Sequence, residues 1–255
     1  MNHAQQDNAL TDQRSASSSN NCITVVASPG AVRWLLSGIT AGLLIAHTVT
    51  QVGIYGFGAD KHWLDPLNMD RELNVPTLFS SALLLLIALL LKRLKSSNGH
   101  ESAADWQLLS RIFFFLALDE ALQIHEVLII PDLRHHVHPA LASTWVIPYG
   151  AFVAVVLWRF RGFLQALPAD FSARALRAGA VYIGGTIGVE MLGSFAVRSD
   201  LIRLHSFWYG GITGLEEGME LCGLILFIHA LMQELMRRNE HGLLQINLKR
   251  DAVPH

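Results

Sequence analysis

The chain has 255 residues, 51% of them hydrophobic and only 16% charged, with a mean hydropathy of +0.35 and a formal net charge of -2 at pH 7. A soluble domain of this size carries about 25% charged residues, so the composition excludes an ordinary soluble enzyme and points to a polytopic membrane protein. The near-neutral balance gives no basic patch for nucleic acid. Neither Cys22 nor Cys222 stands in a CxxC or other ligand spacing, so no disulfide or thiolate metal site is expected.

Residues 1–32 open with "MNHAQQDNALTDQRSASSSNN", rich in Ser, Asn, Gln and Ala. They lack the basic-then-apolar order of a cleaved signal and are expected to form a disordered cytoplasmic tail. No internal repeat and no glycine-rich phosphate loop is present. Six apolar segments then approach the ~20 residues needed to cross hydrocarbon: 34–57, 76–92, 108–130, 144–160, 175–197 and 212–235. The expected architecture is all-α, a six-transmembrane-helix bundle over 33–236 with a cytoplasmic tail over 237–255.

The first span carries His47 and Gln51, one turn apart on one face. In the following loop, Pro76 opens span two as a first-turn proline does. Glu72, Thr77 and Ser80 fall near its mouth, while Asp70 and Glu72 suit helix-start charges equally well. Span three holds the anomaly, "FFFLALDEALQIHEVLII" over 113–130, with Asp119, Glu120, His125 and Glu126 inside an apolar run. Read as one helix, it puts Asp119, Gln123 and Glu126 within an arc of about 60°. The loop "PDLRHHVHP" adds His135, His136 and His138, either a solvated loop or a cap on a cavity. Span five, "GAVYIGGTIGVEMLGS", places Glu190 on a helix whose Gly184, Gly188 and Gly193 allow close packing. Span six starts with Glu216, Glu217 and Glu220.

Lys and Arg set the orientation. The N-terminal tail, the segments 92–111 and 159–177 and the C-terminal tail carry fourteen of them, and the three alternate loops carry five. Both termini are therefore expected in the cytoplasm. Trp34, Trp63, Trp106, Trp145, Trp158 and Trp208 fall near span ends, as interfacial indoles do.

On this arrangement seven acids (Asp119, Glu120, Glu126, Glu190, Glu216, Glu217, Glu220) share the outer half of the bilayer with no Lys or Arg at their depth. Bare carboxylates cannot all stay ionised in low dielectric. They require protons, hydration or bound cations. The leading expectation is a divalent-metal site, Fe, Mn or Zn, because carboxylates with imidazole on several helices build such centres. His47, His125, Glu126, Glu190, Glu216 and Glu220 are the candidate ligands, and Asp119 and Glu120 the candidate catalytic groups for oxidation or hydrolysis of a lipophilic substrate. The usual Glu-x-x-His is missing, since Leu122 stands three before His125, and Ile129 stands where a His-Glu-x-x-His would need its second His. A proton- or cation-coupled transporter using the same acids is the alternative, and a structural or sensory membrane protein the third. The expected partners are the lipid bilayer and a lipophilic small molecule or an ion, not nucleic acid.

The segments "RELNVPTLFSSALLLL" (71–86), "FLALDEALQIHE" (115–126) and "LEEGMELCG" (215–223) resemble a family of bacterial six-span inner-membrane proteins. The resemblance covers the six-span core but not the tails. It implies a multi-pass protein of the bacterial cytoplasmic membrane and supplies no substrate. The zinc-binding histidine pattern of membrane hydrolases related to alkaline ceramidases and adiponectin receptors is not found.

Overall fold

A computed structural model describes residues 23–24, 28–71, 73–96, 103–238 and 247–248. The two expected tails fall almost wholly outside these residues, as does Glu72. Helix α1 spans Pro29–Phe57. Ser28 caps it, accepting the Ala31 N–H at 3.1 Å, and Gly58 ends it at φ 66°, where a left-handed residue turns the chain out. One stripe of α1, including Leu43, His47, Gln51 and Ile54, is buried, while Trp34, Leu35, Ile45 and Val49 are exposed. This wide apolar face is what a bilayer covers.

A short helix, Lys61–Leu64, and a 3₁₀ turn, Asp65–Leu67, lead to helix α2, Val75–Ser96, with Pro76 in its first turn. Helix α3 runs over Ala103–Leu122 and pairs with α2. Ser81 and Ser110 bridge the pair, donating to the carbonyls of Ala117 and Ala88 at 2.8 and 2.7 Å. Helix α4 is Val146–Ala166. Helix α5, Ala169–Ile183, continues through a π-helical segment, Gly184–Val189, into α6, Glu190–Arg198. Helix α7, Phe207–Arg238, packs against α1, α2 and α5 at the centre. A two-residue strand, Ile23–Thr24, pairs antiparallel with Asn247–Leu248, which brings the two ends of the described chain together.

Among the described residues, five helical stretches are long and apolar enough to cross a membrane: Pro29–Phe57, Val75–Lys95, Val146–Ala166, Ala169–Arg198 and Phe207–Arg238. Expected span three departs from its 108–130 limits. It is α-helical only to Leu122, and α3 carries Asp105, Arg111, Asp119 and Glu120. The break is a Schellman cap: Gln123 is left-handed at φ 55°, and the Ile124 N–H returns to the Asp119 carbonyl at 3.1 Å. A 3₁₀ turn, His125–Leu128, follows. The single-helix arc drawn through Asp119, Gln123 and Glu126 does not exist, because the chain changes direction between them.

The hydrophobic core fills the half of the bundle nearer the chain ends. Leu84, Ile87, Leu91, Trp106, Leu221, Leu224 and Leu231 are almost fully buried there. At its edge Glu234, buried, is held by Arg237 (2.7 and 2.8 Å) and Arg238 (2.7 Å). The glycine face of span five is shifted by the π-turn, whose i→i+5 bonding changes the register. Gly184 and Gly193 meet α7 side chains and Gly188 meets nothing, while the tightest approach is at Gly185. A methyl there would stand 2.9 Å from the Glu216 carbonyl oxygen and 3.1 Å from the Glu220 nitrogen.

Helix contact is as close at Gly223, where a methyl would sit 2.7 Å from the Tyr182 nitrogen, and backbone cannot yield cheaply. Gly223→Ala is expected to cost about 1–3 kcal/mol and lower the thermal midpoint in detergent. Gly211→Ala, which meets nothing within 4 Å, is expected to be neutral or to gain up to about 1 kcal/mol of helix propensity. Equal midpoints for the two variants would contradict this packing.

Candidate functional site

At the end of the bundle opposite the chain ends, the helices part around a cavity of about 730 Å³. Asp119 and Glu120 reach it from the last turn of α3, and His125 and Glu126 from the 3₁₀ turn beyond the break. Glu190 enters at the start of α6, and Glu216, Glu217 and Glu220 from α7. All seven acids that the sequence singles out therefore line one chamber, with His125 among them.

Local chemistry explains each placement. Asp119 is buried and accepts the His125 backbone N–H at 2.8 Å, so the helix break and the carboxylate hold each other. The imidazole folds back as well, with Nδ1 3.5 Å from Asp119 and Nε2 3.8 Å from Glu126. Trp145, tilted, and Tyr149, edge-on, flank it with ring centres 5.3 and 6.3 Å away, and Tyr149 turns its hydroxyl to Asp119. Glu190 accepts from the Ser194 hydroxyl at 3.3 Å, which in turn lies 2.9 Å from Ser143. The π-segment brings Gly185 against the Glu216–Glu220 turn, and the Thr186 hydroxyl donates to the Tyr182 carbonyl at 3.0 Å. Such π-turns recur where a helix must aim side chains that a regular helix would misplace.

Several groups that line the chamber were not among the candidates. Tyr149, Tyr182 and Tyr209 all face it, as do Thr186 and Trp145. Tyr149 and Tyr209 look like interfacial aromatics in the sequence, and nothing there separates the two roles. Cations are present after all: Arg71 and Arg134 line the cavity, with His205 beside them, although the sequence had placed no Lys or Arg at the depth of the acids. The loops that carry them fold back over the helix ends, which linear depth reckoning does not register.

His47 differs from the expectation. It does not line the cavity, and both ring nitrogens are engaged by backbone. Nδ1 accepts the Met69 N–H at 3.0 Å and Nε2–H donates to the Gly210 carbonyl at 2.8 Å. With both nitrogens used, it has no lone pair for a metal. It ties α1 to the loop before α2 and to α7. Gln51 and Asn68 do the same one turn on, bonded at 2.8 Å. His135, His136 and His138 do not line the chamber either, and His138 stacks on Phe195. Among the described residues, no three His, Cys, Asp or Glu side chains converge as metal ligands.

The fold and the chamber define a class: a helical protein of membrane-spanning composition with a buried, many-sided acidic cavity at one end. The chain belongs to the family described as a domain of unknown function, DUF8692, whose model matches residues 36–235. Comparison with curated proteins and with solved structures gives no match.

Removing the His47 ring leaves a buried N–H and C=O unpaired, at about 1–3 kcal/mol each. His47→Ala is thus expected to lower the thermal midpoint as a structural knot would, and an unchanged midpoint would contradict that role. A second prediction concerns Asp70 at the mouth. Burial pushes its carboxyl above the usual carboxylate range, against the lowering pull of His205, 3.5 Å away, and Arg71. A raised folded value means that the protonated form favours folding, so stability is lost as pH rises through the window above about 4. Asp70→Asn is expected to flatten that decline in pH-dependent melting, whereas a steeper decline would contradict it.

Proposed function

We propose that the protein is a six-span protein of the bacterial inner membrane that draws a cation from the outer side into the acidic chamber, as the binding site of a cation-coupled carrier. The observation that carries this reading is the convergence of nine carboxylates on one cavity, the seven above with Asp65 and Asp70, against two arginines, Arg71 and Arg134. In low dielectric such a group is stable only with protons, water or a bound cation. The positive-inside rule supports cytoplasmic termini, and α3, packed along α2, supplies the sixth crossing. The cavity then faces outward. Below Glu220 and Tyr182 lie the tightly buried leucines of the core, so the chamber is blind toward the cytoplasm, the form of an outward-open carrier.

A second reading, a divalent-metal centre for oxidation or hydrolysis of a lipophilic substrate, rests on His125, which stands within 4 Å of both Asp119 and Glu126. Glu190, Glu216 and Glu220 would have to close in on the ion to complete its ligands.

Proteoliposomes with a pH-sensitive dye inside separate the two. The carrier reading predicts proton flux driven by an imposed cation gradient, falling at least about tenfold in Glu216→Gln/Glu220→Gln, since a charged partner contributes about 1.5–3 kcal/mol. One or two equivalents of Fe, Mn or Zn in the purified protein, lost in that variant and without flux, would favour the metal centre. Full flux in the variant would refute the carrier reading.

A further inference from the structure

We infer that the cation is an amphiphilic amine, which reaches the chamber sideways from the outer leaflet through a gap between α3 and α4. The inference rests on the cation-binding reading above and adds the substrate class and its route.

Helix α4 is held chiefly at its two ends, with Val156 between them packed, half-buried, against the core. At one end Trp145 and Tyr149 pack, tilted and edge-on, against His125. At the other, Phe163 packs on Trp106 with ring centres 4.9 Å apart, and Arg159 pairs with Asp105 at 2.8 Å. Between them, residues 151–157 contain no buried side chain, and α4 does not pack along its length on α3. Phe152 and Val153 nevertheless line the cavity, and Leu116 lines it from α3. The wall there is a single, loosely held helix between chamber and lipid, and its inner surface is apolar.

The ligand follows from what surrounds it. Glu220 is nine-tenths buried at the floor, and the charged groups that act on it most strongly, Glu217, Glu120 and Glu190, are acids too. A bare divalent ion needs oxygens gathered at about 2.0–2.6 Å, and the described side chains do not converge in that way. An ammonium group needs less: carboxylates at hydrogen-bond distance and ring faces within about 6 Å, such as Trp145, Tyr149, Tyr182 and Tyr209 offer around this space. A cavity of about 730 Å³ has the size of an organic-ligand site, commonly about 300–1,000 Å³. An acidic floor with an apolar flank open to the bilayer is complementary to a charged head with a hydrocarbon chain.

The test measures equilibrium binding of methylammonium, dodecylammonium and dodecanol to the full chain in nanodiscs, with uptake by empty nanodiscs subtracted. Dodecylammonium is expected to bind at least about tenfold tighter than methylammonium, since two methylenes buried from water already supply that factor, and at least about tenfold tighter than dodecanol, since a hydrogen bond to a charged group contributes about 1.5–3 kcal/mol. Glu216→Gln/Glu220→Gln is expected to weaken both amines. Val153→Trp, and separately Val153→Leu should the first fail to fold, are expected to lower the ratio of dodecyl to methyl binding. Dodecanol binding as tightly as dodecylammonium would overturn the amine. Methylammonium and dodecylammonium binding alike, with a ratio that neither Val153 variant moves, would overturn the lateral route while leaving the cation site standing. Binding of neither amine would overturn the inference, and retained cation-driven proton flux in the same preparation would show that the parent reading survives it.

Discussion

The organising constraint of this molecule is the gathering of seven acidic side chains around one chamber, from buried Asp119 and Glu220 to exposed Glu126. Everything at that end of the bundle accommodates them. Straight, close-packed helices would force the carboxylates against one another. Instead α3 stops at Leu122 and the chain turns through left-handed Gln123. The stretch from α5 to α6 loosens into a π-turn at Gly184–Val189. These two departures open the space that the acids line, and both lie next to acids: Asp119 accepts from the residue after the break, and Glu190 follows the π-turn directly. Local irregularity of this kind is what a functional site costs a membrane helix.

A cavity so close to helix ends needs support from outside it. His47, Gln51 and Asn68 provide it, bonding α1 to the 68–70 loop and, through Gly210, to α7. Asn74 extends the set by capping α2 through the Thr77 N–H at 2.8 Å. Apart from Gln51 Oε1, which has no hydrogen-bond partner, the polar groups of this set bond to backbone and to one another, and so brace the loop over the chamber. Toward the other end the solid apolar core and the Glu234 clasp give the rigid base from which the looser helices, α4 above all, can stand away.

Much of this was legible in the sequence because the signals are large. Apolar length finds the five stretches that are long and apolar enough to cross a membrane. Acids inside apolar runs are too costly to be accidental, and grouping them by depth brings all seven to one chamber. Finer features escaped for physical reasons. A non-glycine residue at a left-handed cap gives no sequence mark, so 113–130 reads as one helix and its face angles mislead. The π-turn hides among glycines that signal packing equally well, and it transfers the closest contact from the spacing of Gly184 and Gly188 to Gly185. His47 shares its type and depth with His125, and only the three-dimensional partners of its two nitrogens separate a brace from a site residue. Arg71 and Arg134 were assigned to loops correctly, but loops fold back over the mouth.

The central claim is that the acidic chamber is one space reached from the outer side and closed to the cytoplasm. The most direct measurement is thiol accessibility at Thr213, a cavity-lining residue of α7, using Thr213→Cys with Cys22 and Cys222 replaced by Ser. A membrane-impermeant maleimide is added to right-side-out and to inverted vesicles. Labelling in right-side-out vesicles alone, slowed when the cavity is occupied by an amine, is the predicted result. Labelling in inverted vesicles alone would reverse the orientation and contradict the account.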